Sequence, residues 1–269
     1  MNTGSPRSSG PERTSDDPGV PDPLPDPSPT PDPSPEVFPG VAALIPALNE
    51  EGSIGGVVRE LRERGVTRVV VADNGSTDAT PQVAARAGAQ LARDPRPGYG
   101  RACLAGLALL ESDPSPPEVV LFVDGDGADA LERIPLLVTP VLEDRADLVI
   151  GRRVGEGEVG NARVHARLGS RWVLHGARLL HGMRADDMGP FRAIRWETLE
   201  ALHMDDPTWG WTLQMQLRAH HLGARILEVE VPRRSRTAGR SKVSGSLEVS
   251  LRAGIRMGWT LVRERIRTL

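Results

Sequence analysis

Three times this chain runs through aliphatic residues and then stops abruptly on carboxylates or amides. VAALIPALNE closes on Asn49 and Glu50, VTRVVVADNGSTDAT turns polar at Asp73 and Asn74, and EVVLFVDGDGAD ends on Asp124 and Asp126. Between the runs lie segments with helical spacing. These are residues 53–64, an alanine-rich stretch opening at Thr80-Pro81, and a stretch reaching about Leu110 after the glycine-bearing RPGYGRACLAG. A fourth apolar run, DLVIG, follows. Short apolar strands alternating with helices predict parallel βαβ units, hence an α/β fold with a Rossmann-like, mostly parallel sheet flanked by helices. In open sheets of this kind ligands bind beyond the carboxyl ends of the strands, where the unusual polar residues of this chain fall.

The first 39 residues stand apart. They hold 12 of the 24 prolines and seven acidic residues against two arginines, so they cannot bury enough apolar surface to offset the entropy of ordering. Residues 1–39 are therefore expected to be a disordered, Pro-rich acidic tail, and without an apolar h-region they do not read as a secretory signal. The remainder is long enough for one large α/β domain, taken as 40–246. A single cysteine, Cys103, rules out a disulfide within the chain and fits a reducing compartment. No apolar run reaches the roughly 18–20 residues that span a bilayer. From Arg225 to Leu269 eleven basic residues face four acidic ones, so the C-terminal end is cationic.

Each motif alone admits two readings. In FVDGDGAD, two aspartates two residues apart at the end of a buried strand concentrate charge where desolvation is costly. A hard divalent cation bridging to phosphate oxygens relieves that cost, and Mg²⁺ or Mn²⁺ prefers such ligands. A solvated Asp-Gly turn has the same composition. In ADNGSTDAT, Asp73 and Asn74 offer directional groups for a nucleobase edge. The same residues also suit a turn, with Thr77 or Asp78 capping the next helix.

The order of parts is more specific. IPALNEE, ADNGSTDAT, a Gly-rich segment, VDGDGAD and RxxGxSK, in that succession, resemble the family 2 glycosyltransferases of GT-A fold, and within them the dolichyl- or polyprenyl-phosphate mannosyl- and glucosyltransferases. The resemblance runs from about Val41 to Val249. It implies a nucleoside-diphosphate sugar as donor and Mg²⁺ or Mn²⁺ as cofactor. Pro46, Asn49 and Glu50 match the first-strand loop, Asp73 the aspartate at the nucleotide base with Asn74 beside it, and Asp124 and Asp126 the D-x-D pair at metal and diphosphate. Gly98, Gly100 and Ala102 sit in the Gly-rich segment. ADDMGPFRAIR resembles the acceptor-side D-x-x-G-x-F-R, with Asp186, Gly189, Phe191 and Arg192 as matches, and WGWTLQMQ resembles an aromatic-led acceptor helix. Arg236, Gly239, Ser241 and Lys242 reproduce R-x-x-G-x-S-K, a loop that closes over the donor in relatives. Lys242 is the only lysine among 33 basic side chains. As a compact point charge it suits a diphosphate clamp, and the resemblance gives it, with Arg236 and Asp126, the catalytic role.

Two departures bear on the acceptor. An attacking hydroxyl needs a general base; the candidate positions on the acceptor helix are Gln214 and Gln216, and Gln216 stands where a glutamate is expected. Asp205 or Asp206 just upstream is the alternative base. A phosphate monoester is already ionised near neutral pH and needs positioning more than deprotonation. The absent carboxylate therefore favours a lipid phosphate over a soluble acceptor such as a phosphorylated metabolite or a saccharide. An anionic acceptor should meet cations; Arg153, Arg167 and Ser170 are candidates for its phosphate, with Asp186, Arg192 and Gln214 alongside. Ala128 stands where relatives have a third metal-side polar group, and Asp129 is the nearest substitute.

The final segment, 247–269, is expected to be a basic amphipathic helix. Leu247, Leu251, Ile255, Val262 and Ile266 form one stripe with Trp259 beside it, and Arg252, Arg256, Arg263 and Arg267 form another. Such a helix can lie in an anionic membrane interface or pack its apolar stripe on the domain. The expectation is thus a cytoplasmic, inverting sugar transferase, peripheral at the inner face of the cell membrane, with no nucleic-acid partner. A sugar-phosphate nucleotidyltransferase would favour a Gly-rich basic loop after the first strand, which IPALNEE lacks.

Overall fold

A computed structural model describes Met1 and residues 37–154, 161–232, 234 and 247–267; side chains are described throughout these except at 161–170 and 247–253. In chain order the elements are β1 (Val41–Ala47), α1 (Ile54–Glu63), β2 (Arg68–Asp73), α2 (Thr80–Arg86), β3 (Gln90–Arg93), α3 (Tyr99–Glu111), β4 (Val119–Phe122) and α4 (Ile134–Leu142). They continue with β5 (Leu148–Val154), α5 (Asn161–His181), β6 (Arg192–Arg195), α6 (Trp196–Ala201), α7 (Trp211–Leu222), β7 (Ile226–Pro232) and α8 (Leu247–Arg267).

The seven strands form one sheet in the order β3-β2-β1-β4-β6-β5-β7. All neighbours are parallel except β6, which runs antiparallel to both β4 and β5. The strands alternate strictly between two cores. Ala43, Ile45, Val69, Val71, Leu121 and Val149 enter one, while Leu44, Val70, Val120, Phe122, Leu148 and Ile150 enter the other. Burial on both faces explains why these runs are continuously apolar rather than alternating. Phe38 is a member of the first core and its N–H donates to Gly65 O (3.1 Å). The folded unit therefore takes in the last residues of the stretch read as tail.

The register of β1, β2 and β4 brings their carboxyl ends to one edge, where Ala47 pairs with Asp73 and Leu44 with Phe122. The loops that follow, 48–53, 74–79 and 123–130, thereby converge.

α8 docks by a narrow polar face. Glu264, 3% exposed, receives Arg218 Nε (2.8 Å) and Gln214 Nε2 (2.8 Å), while Thr260 Oγ1 donates to Asp206 Oδ2 (2.9 Å). Asp205 closes the network with Arg218 (2.9 Å) and Arg267 (2.8 Å). Burial works against the Asp205 charge, but hydrogen bonds from Arg267 and Gln214 and the charge of Arg218 hold its pKa down to about 2. Glu264 is depressed in the same way, burial being outweighed by Arg218 and Gln214. Ile255, Trp259, Val262 and Ile266, on the stripe expected either to pack or to face a membrane, are exposed. Among the described residues no helix is long and apolar enough to cross a membrane.

Candidate active site

At the end of β1 the chain turns at Asn49, which adopts φ 50°, a left-handed conformation that asparagine tolerates better than most residues. Its Oδ1 accepts from Thr77 N (2.8 Å) and its N–H donates to Ser76 Oγ (2.9 Å), so Asn49 stitches the first loop to the second. Glu50 lines the cleft; its N–H donates to Thr80 Oγ1 (2.7 Å). Ser53 Oγ donates to Gly125 O (2.8 Å) and ties the same loop to the turn between the paired aspartates.

Asp73 and Asn74 are placed differently from each other. Asp73 is 1% exposed and sits behind the cleft wall. Its Oδ1 accepts from Ser76 N (3.1 Å), and its Oδ2 lies 3.3 Å from Arg93 Nε but accepts no hydrogen bond. Asn74 lines the cleft, yet its amide is committed to backbone. Nδ2 donates to Arg96 O (2.8 Å) and Asp94 O (3.2 Å), and Oδ1 accepts from Gly98 N (2.6 Å). Asn74 thereby shapes the 94–98 loop from within the cleft lining. The Gly-rich segment that follows has a packing cause. A Cβ on Gly100 would come within 1.9 Å of Asp206 O, and Gly100 N itself donates to Thr208 O (3.2 Å). The start of α3 is thus capped by the 206–208 loop.

The paired aspartates stand in the middle of the cleft. Asp124 and Asp126 both line it, and Asp126 is 5% exposed with Oδ1 accepting from Ala128 N (2.9 Å). Asp129, the substitute expected for a third metal-side group, instead turns back to accept from Asp124 N (2.8 Å) and braces the turn. Burial raises its pKa against the pull of Arg153. Arg153 enters from the end of β5. Its Nη2 stands 3.6 Å from Asp124 Oδ2 and makes no hydrogen bond. Burial opposes its charge, but Asp129, Asp124, Asp187 and Asp126 outweigh that and raise its pKa. Four carboxylates around one guanidinium make this corner attractive to positive charge.

The opposite wall is the loop 185–190 with the start of α7. Of the adjacent aspartates, Asp186 is exposed, whereas Asp187 Oδ2 accepts from Arg153 N (3.1 Å). Arg192 is 1% exposed and spends its guanidinium on main-chain carbonyls, with Nε to Gly189 O (2.8 Å), Nη1 to Thr212 O (3.0 Å) and Nη2 to Met188 O (3.0 Å). Burial depresses its pKa to about 10. Gln214 is fully buried in the α8 network, where its Oε1 accepts from Asp205 N (3.1 Å) and Asp206 N (2.9 Å). Neither Arg192 nor Gln214, both expected at an acceptor, lines the cleft. Arg192 holds the two walls together, and Gln214 anchors α8. Gln216 Nε2 donates to Asp187 O (2.9 Å). Of the alternative bases, Asp206 is buried against Thr260 of α8, and Asp205, though exposed, is paired with Arg218 and Arg267; neither lines the cleft. Arg167 and Ser170 belong to α5 but their side chains lie outside the description, as do Arg236, Ser241 and Lys242 altogether.

The resulting cleft has a volume of about 480 Å³. Pro46, Glu50, Asn74, Asp124, Asp126 and Arg153 among the expected residues line it. Tyr99, Met188, Trp209 and Met257 also line it and were not expected. Trp209 opens WGWTLQMQ and was legible as an aromatic beside an acceptor helix; Met257 carried no such signal, because only the docking of α8 brings it here. Two carboxylates with Glu50 nearby form a hard-oxygen donor set. Among the described residues no group of three His, Cys, Asp or Glu converges as a closed metal cage. The two carboxylates fit Mg²⁺ or Mn²⁺, which takes one or two such ligands and completes its shell with water and substrate phosphates.

Comparison with known proteins agrees with this geometry. The profile of glycosyl transferase family 2 matches residues 42–202. An uncharacterized glycosyltransferase of Mycobacterium tuberculosis is 39% identical over 211 residues, spanning 78% of this chain and 93% of its own. An undecaprenyl-phosphate mannosyltransferase of Micrococcus luteus is 32% identical over 220 residues, covering 77% of this chain and 88% of its own. Among solved structures, glucosyl-3-phosphoglycerate synthase from M. tuberculosis, in complex with Mn²⁺, UDP and glucosyl-3-phosphoglycerate, superimposes with a TM-score of 0.67 at 25% identity, over 83% of this chain and 79% of that one. With its mostly parallel sheet, its paired aspartates at the strand ends and these relatives, the chain belongs to glycosyl transferase family 2 and has the GT-A fold.

Proposed function

We propose that this glycosyltransferase moves a hexosyl group from a nucleoside-diphosphate sugar to a phosphorylated acceptor, with polyprenyl phosphate preferred and the anomeric centre inverted. The observation that carries the acceptor class is the cleft's charge pattern: Arg153 reaches into it, while the carboxylates weighed as bases at Asp205 and Asp206 are held elsewhere. An acceptor that arrives ionised needs no base. Relatives support a phosphorylated acceptor in two forms, an undecaprenyl-phosphate mannosyltransferase and a synthase seen with phosphoglyceric acid.

In this reading an acceptor phosphate oxygen attacks the anomeric carbon as the bond from that carbon to the diphosphate oxygen breaks, and the electron pair leaves with the nucleoside diphosphate. Asp124 and Asp126 would hold Mg²⁺ or Mn²⁺, which supplies charge neutralisation at the departing diphosphate. Glu50 of the first loop faces the nucleotide, and Asp73, behind the wall, holds the second loop in place through Ser76 N. Arg236, Ser241 and Lys242 close on the diphosphate, where positioned cations act most strongly as charge develops. Arg153, with Arg167 and Ser170, receives the acceptor phosphate; a guanidinium can donate two parallel hydrogen bonds to it. The enzyme works from the cytoplasmic side as a peripheral protein.

The acceptor is tested by incubating the protein with Mn²⁺, labelled UDP- or GDP-hexose, and either detergent-solubilised polyprenyl phosphate or 3-phosphoglycerate. Label extracting with the lipid is the expected result. Label appearing only in a water-soluble phosphoglycerate product would overturn the lipid preference and leave the soluble acceptor in its place.

A further inference from the structure

The outer surface of the α5–α8 pair carries side chains for which the fold has no use. On α8 the buried positions are Thr260, Leu261 and Glu264, with Met257 partly buried beside them. At about 100° per residue, Ile255, Trp259, Val262 and Ile266 fall on the diametrically opposite side. They are 63%, 60%, 46% and 65% exposed. Side chains of this size are ordinarily exposed singly, so a continuous stripe of four calls for an occupant.

The stripe extends onto α5. Gly176 abuts Leu261 so closely that a Cβ there would come within 2.8 Å of Leu261 Cδ1. Trp172 and Leu179 lie one turn to either side of Gly176 on the same helix face, and they emerge beside α8, 74% and 70% exposed. Two of the chain's five tryptophans therefore stand on this surface. Indole rings favour the boundary between hydrocarbon and water, having a broad apolar body and one polar N–H.

Charge selects the occupant. The described side chains of the two helices, 171–181 and 254–267, include six arginines (Arg171, Arg178, Arg256, Arg263, Arg265 and Arg267) and one acid, Glu264, which is buried. Along α8, Arg256, Arg263 and Arg267 flank the apolar stripe on one side, the last two also paired with Asp205 and Glu264, and Arg265 flanks it on the other. A second copy of the chain would bring like rows of arginine together across a two-fold axis, which disfavours self-association. An anionic bilayer complements both features, because its headgroups meet the arginines while its acyl boundary receives the stripe.

We infer that the outward face of α8, continued by Trp172 and Leu179 of α5, is a docking surface for anionic lipid bilayers. Although it deepens the lipid-acceptor reading, lipid binding is measured without any sugar transfer. The surface also has a consequence for the cleft. Met257 lines the cleft from the inner side of the same helix, so a docked bilayer lies about one helix diameter, roughly 10 Å, from the acceptor wall. The rigid anchor of Thr260 to Asp206 fixes that spacing.

The test is co-sedimentation of the full chain with vesicles of phosphatidylcholine alone or mixed with phosphatidylglycerol. The expected result is binding to the mixed vesicles only, weakened by salt. W259E/I266E and, independently, W172S/L179S should each reduce binding by at least about tenfold. All four positions are exposed, so the melting temperature should stay within the wild-type range. Transfer to short-chain polyprenyl phosphate in detergent should also be preserved in the variants, while transfer to the same lipid in vesicles falls. Wild-type protein that remains in the supernatant with anionic vesicles at low salt would overturn the inference. So would variants that bind as well as wild type, or a solution dimer that either variant converts to monomer. Should wild type bind vesicles yet transfer no sugar to lipid, the docking surface stands and the acceptor reading falls.

Discussion

Asp126→Asn is expected to lower the kcat/KM for sugar transfer by about 10²–10³-fold, the loss typical of removing one preorganised group from a developing oxyanion. Asp126 is nearly buried and lines the cleft beside Asp124. The substitution keeps the size of the side chain and an oxygen for Ala128 N, so the turn should survive. It removes one of two formal negative charges from the pair that would neutralise the metal. The measurement is steady-state transfer over a Mn²⁺ titration, with unfolding temperature as the control for folding. A variant whose activity is within about twofold of wild type at all Mn²⁺ concentrations would remove Asp126 from the catalytic site, since a group acting only in scaffolding does not contribute at this scale.

Glu264→Gln should cost about 3 kcal/mol of stability near neutral pH, the lower end for breaking one side of a buried ion pair. Arg218, only 12% exposed, would keep Asp205 but lose its buried partner. The pH dependence follows from the depressed pKa values. A carboxylate whose folded pKa lies below its unfolded value, about 4 for these groups, contributes fully above the unfolded value and loses that contribution as pH falls through the folded one. Asp205 sits at about 2 and Glu264 is also lowered. The difference between wild type and Glu264→Gln should therefore be widest near neutrality and close as pH falls below the ordinary glutamate range and through the lowered folded-state pKa of Glu264, the arginines remaining charged throughout. Unfolding in denaturant at several pH values reads it directly. A gap that stays constant down to pH 2 would show that Glu264 contributes by shape alone.

What was legible in the sequence were the segments whose burial is uniform. β1, β2, β4 and β5 are aliphatic because both sheet faces are covered, and no helix interrupts them. β3, β6 and β7 were not read as strands. β3 and β6 are four residues each, QLAR and RAIR, too short to display a period, and β7 alternates Glu with aliphatics because it is the edge strand. Arg192 in particular belongs to a strand whose side chain points inward, something its charge argues against.

The site divides along the same line. Glu50, Asp124, Asp126 and Arg153 were legible because charge at the end of an apolar run has few structural uses. Asn74, Arg192 and Gln214 were polar residues in the right neighbourhood, but their donors and acceptors are consumed by backbone and by α8. Nothing in a one-dimensional string says whether an amide faces a ligand or a carbonyl. The distinction between Asp186 and Asp187 is finer still, since only the direction of the main chain decides which carboxylate reaches Arg153.

The central claim is that the paired aspartates bind a nucleoside diphosphate through a divalent metal. The most direct measurement is thermal unfolding of the protein with UDP or GDP, each with and without Mn²⁺. A ligand at one hundred times its dissociation constant adds about 2.7 kcal/mol of stability, a shift well within detection. Stabilisation by one nucleotide, present only with Mn²⁺ and absent in Asp126→Asn, is the predicted result, and it would also identify the base of the donor. Equal unfolding temperatures under all four conditions would contradict the account, leaving a glycosyltransferase scaffold without the site argued for it.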